Sequence, residues 1–257
     1  MTRSILFAGN SHIAALRRGW SAVPDTSDVQ FFAANSKLFN ALELDDDLIF
    51  GAHQADRYEP RQLKFLDQVF GRRLIDLKDF DDVVIVGRNS NEVDFLRQFE
   101  AYSIDGLCED SDRPCLSQSA FARFSREIAQ KRLPDAVWRG WDRPRLSFLP
   151  APVPCANCPA DDPRYDIWAR YGADPARGLD FLKQYRRHAG KLYAEHGMTL
   201  LSPPDVVYDA SGLTQTVFGD EPTRLDPRAG TFGASDFHHM GPRYGEIVLR
   251  HVLGALS

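Results

Sequence analysis

Two continuous apolar runs, each leading into a short polar segment, constrain the fold of this chain most strongly. Residues 82–86 read Asp-Val-Val-Ile-Val and run directly into Gly87, and residues 4–8 form a similar run before Gly9. A strand whose side chains are apolar on both faces is typical of a parallel sheet that is covered on both sides. We therefore expect both runs to be inner strands of such a sheet.

Further apolar runs alternate with amphipathic stretches along the 257 residues. We expect strands near residues 5, 31, 84, 147 and 200, and helices after residue 11, over 117–133, over 177–196 and from 242 onward. This alternation predicts an α/β fold of three α/β/α layers around a central parallel five-stranded sheet. A chain of this length can form one large core, so we expect one domain over residues 1–257, with irregular insertions around 37–60, 104–116 and 134–178. In the first insertion, residues 42–50 suggest a small hairpin.

The charge and hydropathy of the chain limit the classes of partner that it can bind. The net charge of −5 argues against a nucleic-acid partner, because phosphate binding needs an excess of Lys and Arg. No apolar run approaches the roughly 20 residues that span a bilayer, and the apolar run at residues 4–8 is too short for a signal peptide. We expect a cytoplasmic protein that acts on a small molecule, and its oligomeric state stays open.

Three short polar segments carry the chemistry. Residues 9–12 (Gly-Asn-Ser-His) and 87–90 (Gly-Arg-Asn-Ser) follow predicted strands, and residues 236–239 (Asp-Phe-His-His) precede the last predicted helix. Ligands bind at the carboxyl edge of a parallel sheet. The segments supply a hydroxyl, an amide and an Asp/His pair, the groups that acyl transfer by an activated serine requires.

Each of these residues has alternative interpretations. Ser11 can simply cap a helix, and Asp236 can cap the last helix beside an ordinary His239. The spacing of Asp236 and His239 also lets the carboxylate orient one imidazole nitrogen while the other faces outward. A metal site formed by Asp236, His238 and His12 is a further alternative.

The three segments together resemble the sequence blocks of the SGNH (GDSL-like) hydrolase superfamily of esterases and acyltransferases. Residues 9–12 are similar to its first block, residues 87–90 to its G-x-N block and residues 236–239 to its D-x-x-H block. The resemblance implies a flavodoxin-like three-layer fold. It also implies Ser11 as nucleophile, His239 as general base and Asp236 as the acid that orients His239.

The resemblance also implies the oxyanion donors, which are the backbone N–H of Ser11 and the side chain of Asn89. Asn89 is equally a common turn or cap residue. The chain departs from the family at three points. Asn10 stands where Asp is commoner, Ser90 stands where many members have Asp, and the loop after the second strand has no glycine, so Asn35 or Ser36 would supply its N–H. Neither the G-x-S-x-G elbow of α/β-hydrolases nor a glycine-rich nucleotide-binding signature occurs.

We therefore expect a serine hydrolase that cleaves a small O-acyl, acetyl-type ester through an acyl-enzyme, with no cofactor in catalysis. An acyltransferase with the same triad and a catalytically silent binding domain are the alternatives. Residues 134–178 combine aromatic side chains with arginines, which suggests a carbohydrate or acidic ester, although the aromatics can equally pack a long loop onto the body. The aromatic residues are Trp138, Trp141, Phe148, Tyr165, Trp168 and Tyr171, and the arginines are Arg139, Arg143, Arg145, Arg164 and Arg170.

The four cysteines allow several states. They are Cys108, Cys115, Cys155 and Cys158, spaced C-x6-C and then C-x2-C. They fit free thiols, a structural four-thiolate zinc site or two disulfides, and a reducing cytoplasm makes disulfides the least favoured. A redox role for the C-x2-C pair lacks a thioredoxin-like context.

Overall fold

The computed structural model describes residues 2–24, 27–88, 90–108, 110–142, 144–226, 230, 232–233 and 235–257. The strands in chain order are β1 (Ser4–Gly9), β2 (Asp28–Ala33), β3 (Glu43–Leu44), β4 (Ile49–Gly51), β5 (Leu74–Asp76), β6 (Asp82–Arg88), β7 (Ser103–Ile104), β8 (Cys115–Leu116), β9 (Arg145–Pro150) and β10 (Thr199–Leu200). The helices are α1 (Ile13–Gly19), α2 (Ser36–Phe39), α3 (Pro60–Phe70), α4 (Glu92–Phe99), α5 (Gln118–Gln130), α6 (Asp166–Ala173), α7 (Leu179–Ala194) and α8 (Pro242–Leu256). Over the described ranges, no helix is both long and apolar enough to cross a membrane.

The predicted central sheet is confirmed. It has five parallel strands in the order β10-β9-β6-β1-β2, and β1 and the apolar part of β6 are almost fully buried. The chain moves from β1 to β2 in one direction and from β6 through β9 to β10 in the other. Because such crossovers are right-handed, α1 lies on one face of the sheet and α5 and α7 lie on the other. Helix α8 packs on α1, and α5 packs on α7, so helices flank the sheet as a three-layer fold requires.

The insertions contain more regular structure than the sequence predicts. The hairpin expected at residues 42–50 is present as β3 and β4, and β5 adds a third antiparallel strand that places Ile75 opposite Phe50. Helix α3 is fixed by a reciprocal capping box between Glu59 and Gln62. The stretch 134–178, expected to be irregular apart from its strand, also contains α6, which buries Trp168 against the body.

The register of the sheet brings four strand ends to one level. Gly9 at the end of β1 lies opposite Ala33 of β2 and Val86 of β6, and Arg88 lies opposite Pro150 of β9. The segments that follow these strands are therefore neighbours at the carboxyl edge. Strands β1 and β6 meet where the direction of the crossovers reverses, which is the point of such sheets where ligands bind.

Two glycines bring α1 and α8 into close contact. A Cβ on Gly245 would lie 1.9 Å from the carbonyl oxygen of Ala15, and a Cβ on Gly19 would lie 2.2 Å from the backbone nitrogen of Glu246. No side chain fits at either position, so the two helix backbones touch. Since this contact lies within the first turns of α8 and beside α1, it also holds together the loops that precede the two helices.

Candidate active site

One hydrogen-bonded relay joins residues from opposite ends of the chain. The Oγ of Ser11, in the loop between β1 and α1, lies 2.8 Å from Nε2 of His239. The Nδ1 of the same ring lies 2.7 Å from Oδ2 of Asp236. This network assigns the Nδ1–H tautomer to His239, so that Nε2 can accept the proton of the Ser11 hydroxyl. The three predicted triad residues therefore lie in the order and at the distances that nucleophile activation needs.

The carboxylate of Asp236 is held by its own loop. Its Oδ1 accepts hydrogen bonds from the backbone N–H of His238 at 3.0 Å and of His239 at 2.9 Å. Burial opposes ionisation of Asp236, but the hydrogen bonds from the ring and backbone of His239 lower the pKa of this carboxyl below its usual value. Asp236 is therefore ionised at neutral pH and orients the imidazole.

Asn10 and Gly87 shape the loop that carries Ser11. The Nδ2 of Asn10 donates to the carbonyl oxygen of Gly87 at 2.7 Å, and its Oδ1 accepts from the backbone N–H of His12 at 3.2 Å. Gly87 has a φ of +80°, and a Cβ there would lie 2.0 Å from Oδ1 of Asn10. A glycine is therefore required at the end of β6 so that the Asn10 amide can tie the two strand ends together.

The ring of His239 lies between two other rings. Phe232 stacks on it with centroids 3.7 Å apart and planes inclined by 14°, and the ring of His12 lies 4.9 Å away at 20°. The Nδ1 of His12 is buried and has no hydrogen-bond partner among the described residues. Burial, together with the neighbouring His239 and His238, lowers the pKa of His12 well below its usual value, so His12 is neutral at neutral pH.

The predicted oxyanion donors differ in their positions relative to Ser11 and in whether the structure describes them. The backbone N–H of Ser11 has no hydrogen-bond partner within the described parts of the chain, and is free to bind a ligand. Asn89 lies outside the described residues. The side chain of Asn35 caps α2 by accepting from the N–H of Leu38 at 3.0 Å, and Ser36 belongs to the lining of the cavity beside Ser11, whereas Asn35 does not. Of the two candidates in this loop, Ser36 is the better placed.

A cavity of about 320 Å³ opens onto the relay; we call it the catalytic cavity. It is lined by Ser11, His12, Ser36, Arg88, Ser90, Glu92, Val93, Ala151, Pro152, Arg164, Trp168, His238 and His239. Ser90 is 6% exposed, and its Oγ has no partner among the described residues. The volume suits a small organic substrate.

Two metal arrangements were considered from the sequence. Within the part of the chain that the structure describes, no group of three or more His, Cys, Asp or Glu side chains is placed to hold a metal ion. The alternative of Asp236, His238 and His12 as metal ligands stays a prediction, and in the described structure the Asp236 carboxylate is directed to His239.

The four cysteines are likewise not gathered into one site. Cys108 and Cys115 belong to the small β7–β8 unit, while Cys155 and Cys158 lie in the loop after β9, and all four are free thiols. Burial raises the pKa of Cys155 to about 12, so it is an unreactive thiol. Zinc binding itself stays a prediction for metal analysis.

The aromatic and basic side chains of residues 134–178 are divided between packing and the cavities. Trp168 and Arg164 line the catalytic cavity, but Arg164 is paired with Asp162 at 2.6 Å. Arg139, Arg145 and Arg170 are also bound by protein acceptors, and Arg143 lies outside the described residues. The described arginines of this stretch are therefore occupied within the protein.

Sequence reasoning missed Phe232 and the orientation of Arg88. Phe232 lies in a loop without periodicity, so its contact with His239 had no signal in the sequence. Arg88 was given no role from the sequence, and it lines the catalytic cavity.

Comparison with known proteins gave no relative. No family model matches the chain. Neither the curated proteins nor the solved structures gave a match.

Proposed function

We propose that the protein is a serine hydrolase that cleaves a small acetyl-type ester through a covalent acyl-enzyme. The observation that carries the proposal is the continuous relay from Ser11 through His239 to Asp236, formed by residues 228 positions apart in the chain. A serine that only capped a helix would not need to contact an imidazole that is itself held by a partly buried carboxylate. This arrangement is the one that lowers the barrier to attack by a hydroxyl.

In the proposed mechanism, Ser11 Oγ attacks the ester carbonyl while His239 Nε2 takes its proton. The negative charge that develops on the carbonyl oxygen is stabilised by the Ser11 N–H and by the amide of Asn89. The tetrahedral intermediate then expels the alcohol, which receives the proton from Nε2. Water, activated in the same way by His239, attacks the acyl group on Ser11 and releases the acid.

The fold and the segments support assignment to the SGNH type. Numbered along the sheet strands alone, the observed order is 2-1-3-4-5, which is the flavodoxin-like order. Ser11 follows the first of these strands and residues 87–90 follow the third, so both border the point where the crossovers reverse. We propose a flavodoxin-like SGNH hydrolase on these grounds.

The proposal is tested by exchanging Ser11 for Ala and measuring hydrolysis of p-nitrophenyl acetate. The matched control is Ser21→Ala, because Ser21 is an exposed serine at the other end of the same helical segment. We expect Ser11→Ala to lose activity by about a thousandfold or more and Ser21→Ala to keep it. Equal rates for the wild type and Ser11→Ala would refute the serine mechanism.

A further inference from the structure

A second cavity adjoins the catalytic cavity at Arg88. It has a volume of about 480 Å³, and we call it the aromatic cavity because Phe39, Phe50 and Trp138 line it. Phe50 contacts both other rings edge-on, with centroids 5.5 Å apart in each pair. Ser36 and Arg88 line both cavities. A substrate that extends from Ser11 into the aromatic cavity must therefore pass Arg88.

The guanidinium of Arg88 has no anionic partner among the residues that the structure describes. It is partly buried, its guanidinium lies 5.8 Å from the centre of the Phe148 ring, and none of the described residues forms a hydrogen bond or ion pair with it. Burial lowers the pKa of Arg88, but an arginine stays protonated at neutral pH. A charge that is partly removed from water and left unpaired is unfavourable unless a ligand compensates it.

The surroundings leave an excess of positive charge. The second basic group of the aromatic cavity is Arg132, which is exposed and repels Arg88. The acidic side chain facing both is Asp135, which attracts Arg88 through space without forming an ion pair with it. Glu92, which also lines the catalytic cavity, is neutralised by Arg186 at 2.6 Å. The remaining two cations against one carboxylate leave a net charge of about +1 where the two cavities meet. This contrasts with Arg164, which also lines the catalytic cavity and is neutralised by Asp162.

We infer that Arg88 and Arg132 form an anion subsite, and that the substrate is an ester whose ring-shaped alcohol part carries a carboxylate or a similar oxyanion. The ester lies at Ser11, the oxyanion is bound by Arg88, and the ring stacks within the aromatic cavity. The inference rests on the proposed function for the position of the ester, but anion binding itself does not require turnover.

The test therefore separates binding from catalysis. In a Ser11→Ala background, the binding of p-acetoxybenzoate and of its neutral methyl ester is measured by titration calorimetry. We expect the carboxylate to bind about tenfold more tightly than the methyl ester, which corresponds to one charge-assisted contact. Adding Arg88→Gln to the Ser11→Ala background should abolish the preference for the carboxylate. Because Arg88 is partly buried and its replacement can disturb folding, the exposed Arg132→Glu provides a second variant that should reduce the preference.

The matched control is Arg123→Gln, an exposed arginine of α5 that pairs with Glu127 away from both cavities. It should keep the full preference for the carboxylate. Equal binding of the two esters, failure of the carboxylate to bind, or a preference that survives both Arg88→Gln and Arg132→Glu would overturn the inference. With Ser11 present, Arg88→Gln should raise KM for p-acetoxybenzoate about tenfold. If Ser11→Ala instead leaves hydrolysis unchanged while the binding preference persists, the proposed function fails and the anion subsite stands.

Discussion

Replacing Asp236 by Asn tests the relay at the residue that orients it. The carboxylate accepts the Nδ1–H of His239 at 2.7 Å and two backbone N–H groups at 2.9 and 3.0 Å. An asparagine keeps one oxygen for the backbone groups but turns an NH2 group toward Nδ1. The imidazole must then present a lone pair at Nδ1 and carry its proton on Nε2, which can no longer accept the proton of Ser11.

The expected loss follows from this change of tautomer. A wrong tautomer costs about ten-thousandfold in kcat in serine hydrolases of this design, or about 5.5 kcal/mol of activation free energy. The free energy of unfolding should fall by only about 1–2 kcal/mol, since one charge-assisted hydrogen bond is lost and the shape is kept.

The assay is hydrolysis of p-nitrophenyl acetate at neutral pH, with urea unfolding measured in parallel. Asp220→Asn is the matched control, because Asp220 is an exposed aspartate in the loop that packs against Gly241. An Asp236→Asn variant that keeps more than about one-tenth of wild-type kcat would refute the role proposed for the carboxylate.

Other predictions concern the loop of Ser11 and the behaviour in acid. Asn10→Asp replaces the donor to the Gly87 carbonyl, now 2.7 Å away, by a repelling oxygen, and should lower the free energy of unfolding by about 1–3 kcal/mol in urea titrations. Gly87→Ala forces a side chain to a φ of +80° against Asn10, and should cost at least about 2 kcal/mol in the same assay. Burial lowers the pKa of His238 from its usual 6.5 to about 4, so the unfolded chain binds a proton first and stability is lost as the pH falls from 6.5 to about 4. His238→Asn should remove about 3 kcal/mol of that loss. If the free energy of unfolding falls equally in wild type and variant over this pH range, the assignment is contradicted.

The sequence was sufficient for the central sheet because its strands carry a strong local signal. The β-branched residues of β6 and the apolar run of β1 are hydrophobic on both faces, as buried parallel strands must be. Strand β5 was not predicted because it has three residues, too few for a periodicity. Helix α6 was not predicted because it lies in a stretch whose prolines and arginines suggest a loop.

The candidate site was predictable in its residue types but not in its contacts. Ser11 and His239 were paired because three spaced segments resemble the blocks of one superfamily. Their separation of 2.8 Å depends on the crossing of α1 and α8 at Gly19 and Gly245, and isolated glycines do not reveal their partners. The stacking of Phe232 on His239 depends in the same way on tertiary structure, since a loop has no period from which a facing residue can be inferred.

The sequence also did not show that Arg88 is the arginine available to a substrate. From the sequence, the aromatic and basic residues of 134–178 were the source of an acidic-ester hypothesis, but the arginines described in that stretch have partners within the protein. Arg88, at the end of β6, instead has no ion-pair partner within the described ranges. Which arginine can bind a ligand depends on ion pairs between residues that are distant in sequence. The composition of a segment does not show these ion pairs.

Reaction with a fluorophosphonate, followed by mass spectrometry of the proteolytic peptides, examines the nucleophile most directly. Such a reagent forms a stable adduct with a serine only when a neighbouring base removes its proton. One adduct per chain on Ser11, lost in Ser11→Ala and strongly slowed in Asp236→Asn, is the expected result. An unmodified Ser11 in folded protein, or an adduct located on another serine, would contradict the assignment of this hydroxyl as the attacking group.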